Sequence, residues 1–185
     1  MERYIALLRG VNVGGKNTVS MPVLKAALTE AGFLHVRTYI NSGNIFFSAD
    51  EVNAADLQQK CRQVIMDRFG LDIPVAVMAE PDLADMLAHA PGWWGDGSEA
   101  KHNAIFVIAP ADAGAVIEAV GEAKPEYEQI AIWGQLIFWS APLKTFSRTR
   151  WAKVSATPAY ESITIRNLNT TKKLLELSRQ NGEPG

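Results

Sequence analysis

The chain has 185 residues, 48% of them apolar, with a formal net charge of −2. That length fits one large domain or two small ones, and the apolar share supports a packed core and excludes a disordered chain. The near-neutral charge argues against non-specific attraction to nucleic acid or membrane. The lone cysteine, Cys61, excludes an internal disulfide and suits a reducing, cytoplasmic setting.

In chain order, "RYIALLR" is an apolar run and reads as a buried strand; it is too short for a signal peptide, and no segment reaches the roughly 20 apolar residues of a membrane span. "SMPVLKAALTEAG" reads as a helix with Ser20 as cap, Pro22 near the first turn and Gly32 as stop. "HVRTYI" and "NIFFSA" are strands joined through "NSGN", where Asn and Gly are expected to supply the positive φ of a tight turn. "NAADLQQKCRQVIMDRFG" is a helix from Asn53 to Gly70, with Cys61 on its apolar face. "DIPVAVMA" is a strand that Pro74 assigns to a sheet edge. The order β-α-β-β-α-β is the split βαβ, or ferredoxin-like, unit.

The second half repeats that order. "PDLADMLAHA" is a connecting helix, "HNAIFVIA" a strand and "DAGAVIEAVGEA" a helix capped by Asp112. "YEQIAIW" and "LIFWS" form a hairpin through Gly134 and Gln135, "SRTRWAKV" is read as a short helix and "SITIR" as a strand. "NTTKKLLELSRQ" is a final helix, capped by Asn169 or Thr170, and the tail "NGEPG" is expected to fray. The sequence therefore predicts an α+β protein of two tandem split-βαβ lobes with antiparallel sheets, residues 1–79 and 80–185.

The stretch "LLRGVNVGGKNT" contains G-x-x-x-x-G-K, nearly a phosphate-binding P-loop. A P-loop also needs a hydroxyl after the lysine for Mg²⁺ and a helix that starts there. Here Asn17 follows Lys16, and the helix signals come later at Ser20 and Pro22. A P-loop is not expected. The glycines still permit a backbone nest for an anion, with Arg9 and Lys16 adding charge; equally, they let the strand leave the sheet. In a split βαβ sheet the first two strands run parallel, so the glycine loop and the "NSGN" turn should share one rim and gather Asn12, Asn17, Asn41, Ser42 and Asn44 there.

"LLRGVNVGGKN", "TYINSGNIFF" and "TIRNLNTTKKL" together make the chain resemble the bacterial family called domain of unknown function 1697. The resemblance implies a two-part α+β protein with ferredoxin-like halves and no established activity. It makes Arg9, Gly10, Asn12, Gly14, Gly15, Asn41, Ser42, Gly43, Asn44, Arg166, Asn167, Asn169 and Thr170 the motif positions without giving them a role.

The start of the last helix, with Arg166, Lys172 and Lys173 nearby, reads first as a well-capped surface helix with solvated lysines and second as another candidate anion site; two such sites raise the idea of one shared cleft. RNA-recognition domains share the element order, but their third-strand signature is matched only at Gly43 and Phe46. Trp93 and Trp94 read as packing their loop onto the body, with stacking on a ligand ring as the alternative, and Trp133, Trp139 and Trp151 read as core. Asp82, Asp85, Glu126 and Glu128 read as solvated charges. The three histidines show no metal spacing, and no nucleophile motif appears. The leading expectation is a binding module for a small anionic ligand, phosphorylated or nucleotide-like, at Arg9, Gly10, Asn12, Gly14, Gly15, Lys16, Asn41, Ser42 and Asn44, joined by Arg166, Asn169 and Thr170. No metal, cofactor, nucleic-acid partner or membrane is expected. The alternatives are an RNA- or protein-interaction module using an exposed sheet face that bears Tyr4 and Phe46, and an enzyme at the same cleft.

Overall fold

The computed structural model describes residues 1–50 and 53–180; the tail, residues 181–185, lies outside the described residues. The chain forms two compact units. The first comprises Met1–Ala84 and the chain from Lys173 on, and the second Asp85–Lys172.

The first unit holds β1 (Glu2–Leu8), α1 (Met21–Glu30), β2 (Leu34–Tyr39), β3 (Asn44–Ala49), α2 (Ala54–Phe69) and β4 (Val75–Ala79). The helix boundaries follow from local chemistry. Ser20 Oγ accepts from Val23 N at 3.5 Å to cap α1, and Asn53 accepts from Ala55 N at 3.0 Å to cap α2. Gly70, at φ 66°, closes α2 in the left-handed conformation. Leu24 and Leu28 of α1 and Leu57, Cys61 and Ile65 of α2 pack on Tyr4, Ala6, Leu8, Ile45 and Phe47 of the sheet. Burying each large aliphatic contributes about 1.5–3 kcal/mol. Cys61 is fully enclosed, and burial pushes its thiol up to about 12, which fits a small core residue. The four strands lie in the order β2-β3-β1-β4, all antiparallel, with β4 on the edge that Pro74 requires.

Helix α3 (Glu80–Ala88) leads into the second unit, which holds β5 (Ala100–Val107), α4 (Ala113–Val120), β6 (Gln129–Trp133), β7 (Leu136–Pro142) and β8 (Ile163–Asn167), before α5 (Leu168–Ser178). Its sheet, β6-β7-β5-β8, repeats the order of the first and is again antiparallel throughout. Where a short helix was expected, the link from β7 to β8 makes three 3₁₀ turns, Leu143–Arg148, Trp151–Ala156 and Pro158–Ser162. Thr149 and Thr157 end the first two. Each hydroxyl donates to the carbonyl three residues back, at 2.7 Å, in competition with an α-helical continuation.

Two charge and aromatic expectations fail here. Glu128 is 3% exposed, not solvated, because its carboxylate accepts from Lys124 N, Arg150 N, Trp151 N and Trp139 Nε1. Trp139 and Trp151 are core, but Trp133 lies outward on the edge strand β6, stacked on His89 at 3.5 Å with its indole N–H bonded to Asp85. No helix among the described residues is long and apolar enough to cross a membrane.

Candidate functional site

The glycine loop is a miniature hairpin. Val13 and Lys16 form an antiparallel bridge, Lys16 N donates to Val13 O at 3.0 Å, and Asn12 N donates to Asn17 O at 3.1 Å. Gly14 and Gly15, at φ 58° and 72°, are its two central residues; positive φ at both is the signature of a type I′ turn. Lys16 is exposed on the outgoing arm, and α1 starts only at Met21. Lys16 therefore does not stand at a helix start, and the sheet is antiparallel, so the loop is not a P-loop.

The hairpin and the "NSGN" turn meet, as parallel β1 and β2 require. Leu8 N donates to Gly43 O at 2.9 Å, and Asn12 Nδ2 donates to Asn41 O at 2.7 Å. The same Asn12 amide holds the far arm, donating to Val19 O at 2.9 Å and accepting from Val19 N at 2.8 Å. Asn44, fully buried, donates to Tyr39 O and Ser42 Oγ, and Asn17 donates to Gly10 O. The side chains of Asn12, Asn17 and Asn44 thus bond to the backbone of the two turns. Arg9 is half-buried and its N–H bonds Pro74 O at 3.0 Å.

Arg166, Asn169 and Thr170 belong to the second unit. Arg166 is 7% exposed, donates to Thr164 Oγ1 at 2.7 Å and Ile165 O at 3.0 Å, and is pushed down to about 10 by burial. The cap of α5 is neither Asn169 nor Thr170. It is Asn167, whose Oδ1 accepts from Thr170 N at 2.8 Å, so the helix starts earlier than "NTTKKL" suggested.

A feature of the first unit escaped the sequence reading. A cavity of about 460 Å³ is lined by Arg3, His35 and Arg37, with Tyr4, Phe46 and Ser48 among its walls. Its shape depends on a bulge. The β2–β3 register shifts between Leu34 and Arg37, and His35 takes φ 52°. Arg37 lies over the Phe46 ring at 5.5 Å. Both arginines are positioned by carbonyls at the C-terminal end of α5, a favourable end for a cation: Arg37 Nη2 donates to Leu177 O at 2.8 Å, and Arg3 Nη1 to the carbonyl of Arg179, just past the helix, at 2.9 Å. Burial first, and then the charge of Arg3, hold the Arg37 guanidinium below its ordinary value. Alternation alone puts these residues on ordinary strands, and only the bulge and a helix end more than a hundred residues away in sequence make them converge. No cluster of metal-ligating side chains occurs among the described residues.

Two split-βαβ units in tandem, each with an antiparallel four-stranded sheet, define an α+β protein of paired ferredoxin-like units. The chain belongs to the DUF1697 family, described as protein of unknown function, whose model matches residues 1–138. Its fold is similar to that of conserved bacterial protein SP0830 from Streptococcus pneumoniae, at 32% identity over 96% of this chain and 99% of that one, with a TM-score of 0.86. None of the curated proteins matches the chain.

Proposed function

We propose that the chain is a binding module for a small anionic ligand, phosphorylated or nucleotide-like, and that the cavity of the first unit receives it. The observation that carries this reading is the lining: Arg3, Arg37 and His35 border a space of about 460 Å³ together with Tyr4, Phe46 and Phe47. Small-ligand sites have this build, mostly apolar with a few fixed polar groups. Carbonyls at the C-terminal end of α5 hold Arg3 and Arg37 in position before any ligand arrives, which lowers the ordering cost of binding. Arginine is suited to bidentate contact with phosphate or carboxylate. The lone buried cysteine suits a cytoplasmic location.

A second reading keeps the anion at the rim, between Arg9, the exposed Lys16 and Asn41. It is favoured by the Asn12–Asn41 bond that joins the hairpin to the turn. An interaction module working through an exposed sheet face finds no support, since Tyr4 and Phe46 are 1% and 3% exposed. Titration with AMP and with inorganic phosphate, followed by amide chemical shifts, separates the readings. A charge-assisted hydrogen bond contributes about 1.5–3 kcal/mol, so Arg37→Gln is expected to weaken binding about tenfold or more, with Lys16→Ala near wild type. The reverse pattern moves the site to the rim. No saturable shift with either probe up to millimolar concentration removes the anion reading altogether.

A further inference from the structure

Three polar side chains form one row across the second sheet. The register sets His102 of β5 opposite Ser140 of β7, and Ser140 opposite Gln129 of β6. Residues paired in this way share a face, with Cβ atoms about 4.5–5.5 Å apart. All three line a cavity of about 300 Å³, together with Trp93 and Tyr127. His102 Nδ1 lies 2.6 Å from Ser140 Oγ, and both residues are 7% exposed. On its far side, His102 Nε2 faces the Gly97 carbonyl at 3.4 Å. A carbonyl only accepts, so that contact assigns the ring proton to Nε2 and leaves Nδ1 to accept the serine hydroxyl proton. A nucleophile, its base and a group that orients the base are therefore in line. Gln129 is exposed at the start of β6 and lines the cavity, so its amide N–H groups can turn toward a ligand there.

We propose that Ser140, His102 and Gln129 form an acyl-transfer site that accepts the ester of a short acyl group. Ser140 Oγ bonds to the acyl carbon while its proton moves to His102 Nδ1. The carbonyl π pair moves onto oxygen, where the Gln129 amide stabilises the charge. The imidazolium formed is steadied by its Nε2–H and the Gly97 carbonyl. Collapse breaks the bond to the alcohol oxygen, which leaves with the proton from His102. Water then repeats the sequence on the acyl-serine, with His102 again taking and returning the proton. The carboxylic acid is released and Ser140 is restored. The size of the cavity limits the acyl group to a few carbons. This site does not depend on the anion reading of the first unit, since it shares no residue with that cavity.

The test uses the full chain and a fluorophosphonate, which reacts with activated serines, followed by peptide mass spectrometry and by hydrolysis of p-nitrophenyl acetate. The expected result is one phosphonyl adduct on Ser140, none on Ser140→Ala, labelling slowed about a hundredfold in His102→Gln, and ester hydrolysis slowed at least tenfold in Gln129→Ala. Thermal melts check that each variant is folded. An unlabelled wild-type chain, an adduct that persists in Ser140→Ala, or wild-type labelling of folded His102→Gln would overturn the proposal. The wild-type arm needs no variant, so a variant that fails to fold leaves that arm decisive.

Discussion

Ile40 carries a φ of 51°, in the left-handed region that a β-branched residue rarely enters, and is 49% exposed. Its side chain recovers little by burial. The conformation costs an L-residue about 1–2 kcal/mol, less for Asn, whose short side chain bonds locally. Ile40→Asn should therefore stabilise the protein by about 1 kcal/mol, a rise in melting temperature of roughly 2–4 °C. A lower melting temperature would mean that the Ile40 side chain makes a contact worth more than the strain. The turn also marks a limit of sequence reading at this scale. Gly43 does take positive φ, at 83°, and a Cβ there would meet Leu8 Cβ at 2.8 Å. Asn41 and Asn44 do not; the positive φ expected of asparagine falls on Asn12 and Asn17 instead. Propensity identifies which residues tolerate the left-handed region, but the hydrogen bonds around the turn decide which of them enters it. Glu128 is misread for a similar reason, because the donors that bury it lie on separate elements.

Asn12 ties the glycine hairpin to the chain on both sides of it. One amide closes the hairpin onto Val19 through two bonds and reaches Asn41 with a third. Asn12→Ala removes all three and leaves partly buried backbone groups unmet, so a loss of roughly 2–4 kcal/mol is expected in urea unfolding. Lys16→Ala, on the exposed arm, should stay within about 0.5 kcal/mol. Equal, small effects of the two changes would mean that the hairpin is not held by Asn12. Elements of this kind were largely legible. The late helix signals Ser20 and Pro22 distinguish the loop from a P-loop, and Asn53, Gly70 and Asp112 mark helix ends that the structure keeps. The 3₁₀ turns were not, because whether Thr149 and Thr157 bond their own backbone or yield to a helix depends on what the surrounding fold holds in place. The arginine-lined cavity was hidden for the same reason, since a bulge shifts the pairing register without changing the residue pattern.

The whole chain uses one topology twice, with different means of covering the sheet. In the first unit α1 and α2 supply the apolar layer, and five consecutive residues of β1, Tyr4 to Leu8, are buried, so neither face of that strand is open. The second unit has only α4 in the corresponding position, and the chain from β7 to β8 crosses in 3₁₀ turns that bring Trp151, Val154 and Ala159 into the core. Such turns have poor internal bonding geometry and need an outside anchor. Glu128 provides it, joining the start of β6 to Trp139 of β7 and to the backbone of Arg150 and Trp151. An ionised carboxylate accepts at every position, and such charge-assisted bonds are roughly twice as strong as neutral ones. Glu128→Gln keeps the size but turns an NH₂ toward N–H donors. It should cost roughly 3 kcal/mol and raise hydrogen exchange at the Arg150 and Trp151 amides by about two orders of magnitude, while the α2 amides of the other unit exchange at their former rate. If Glu128→Gln melts like wild type and those two amides stay protected, the 3₁₀ crossover is held by its buried tryptophan and valine alone. A uniform acceleration across both units would instead show that the second unit opens only when the whole chain does.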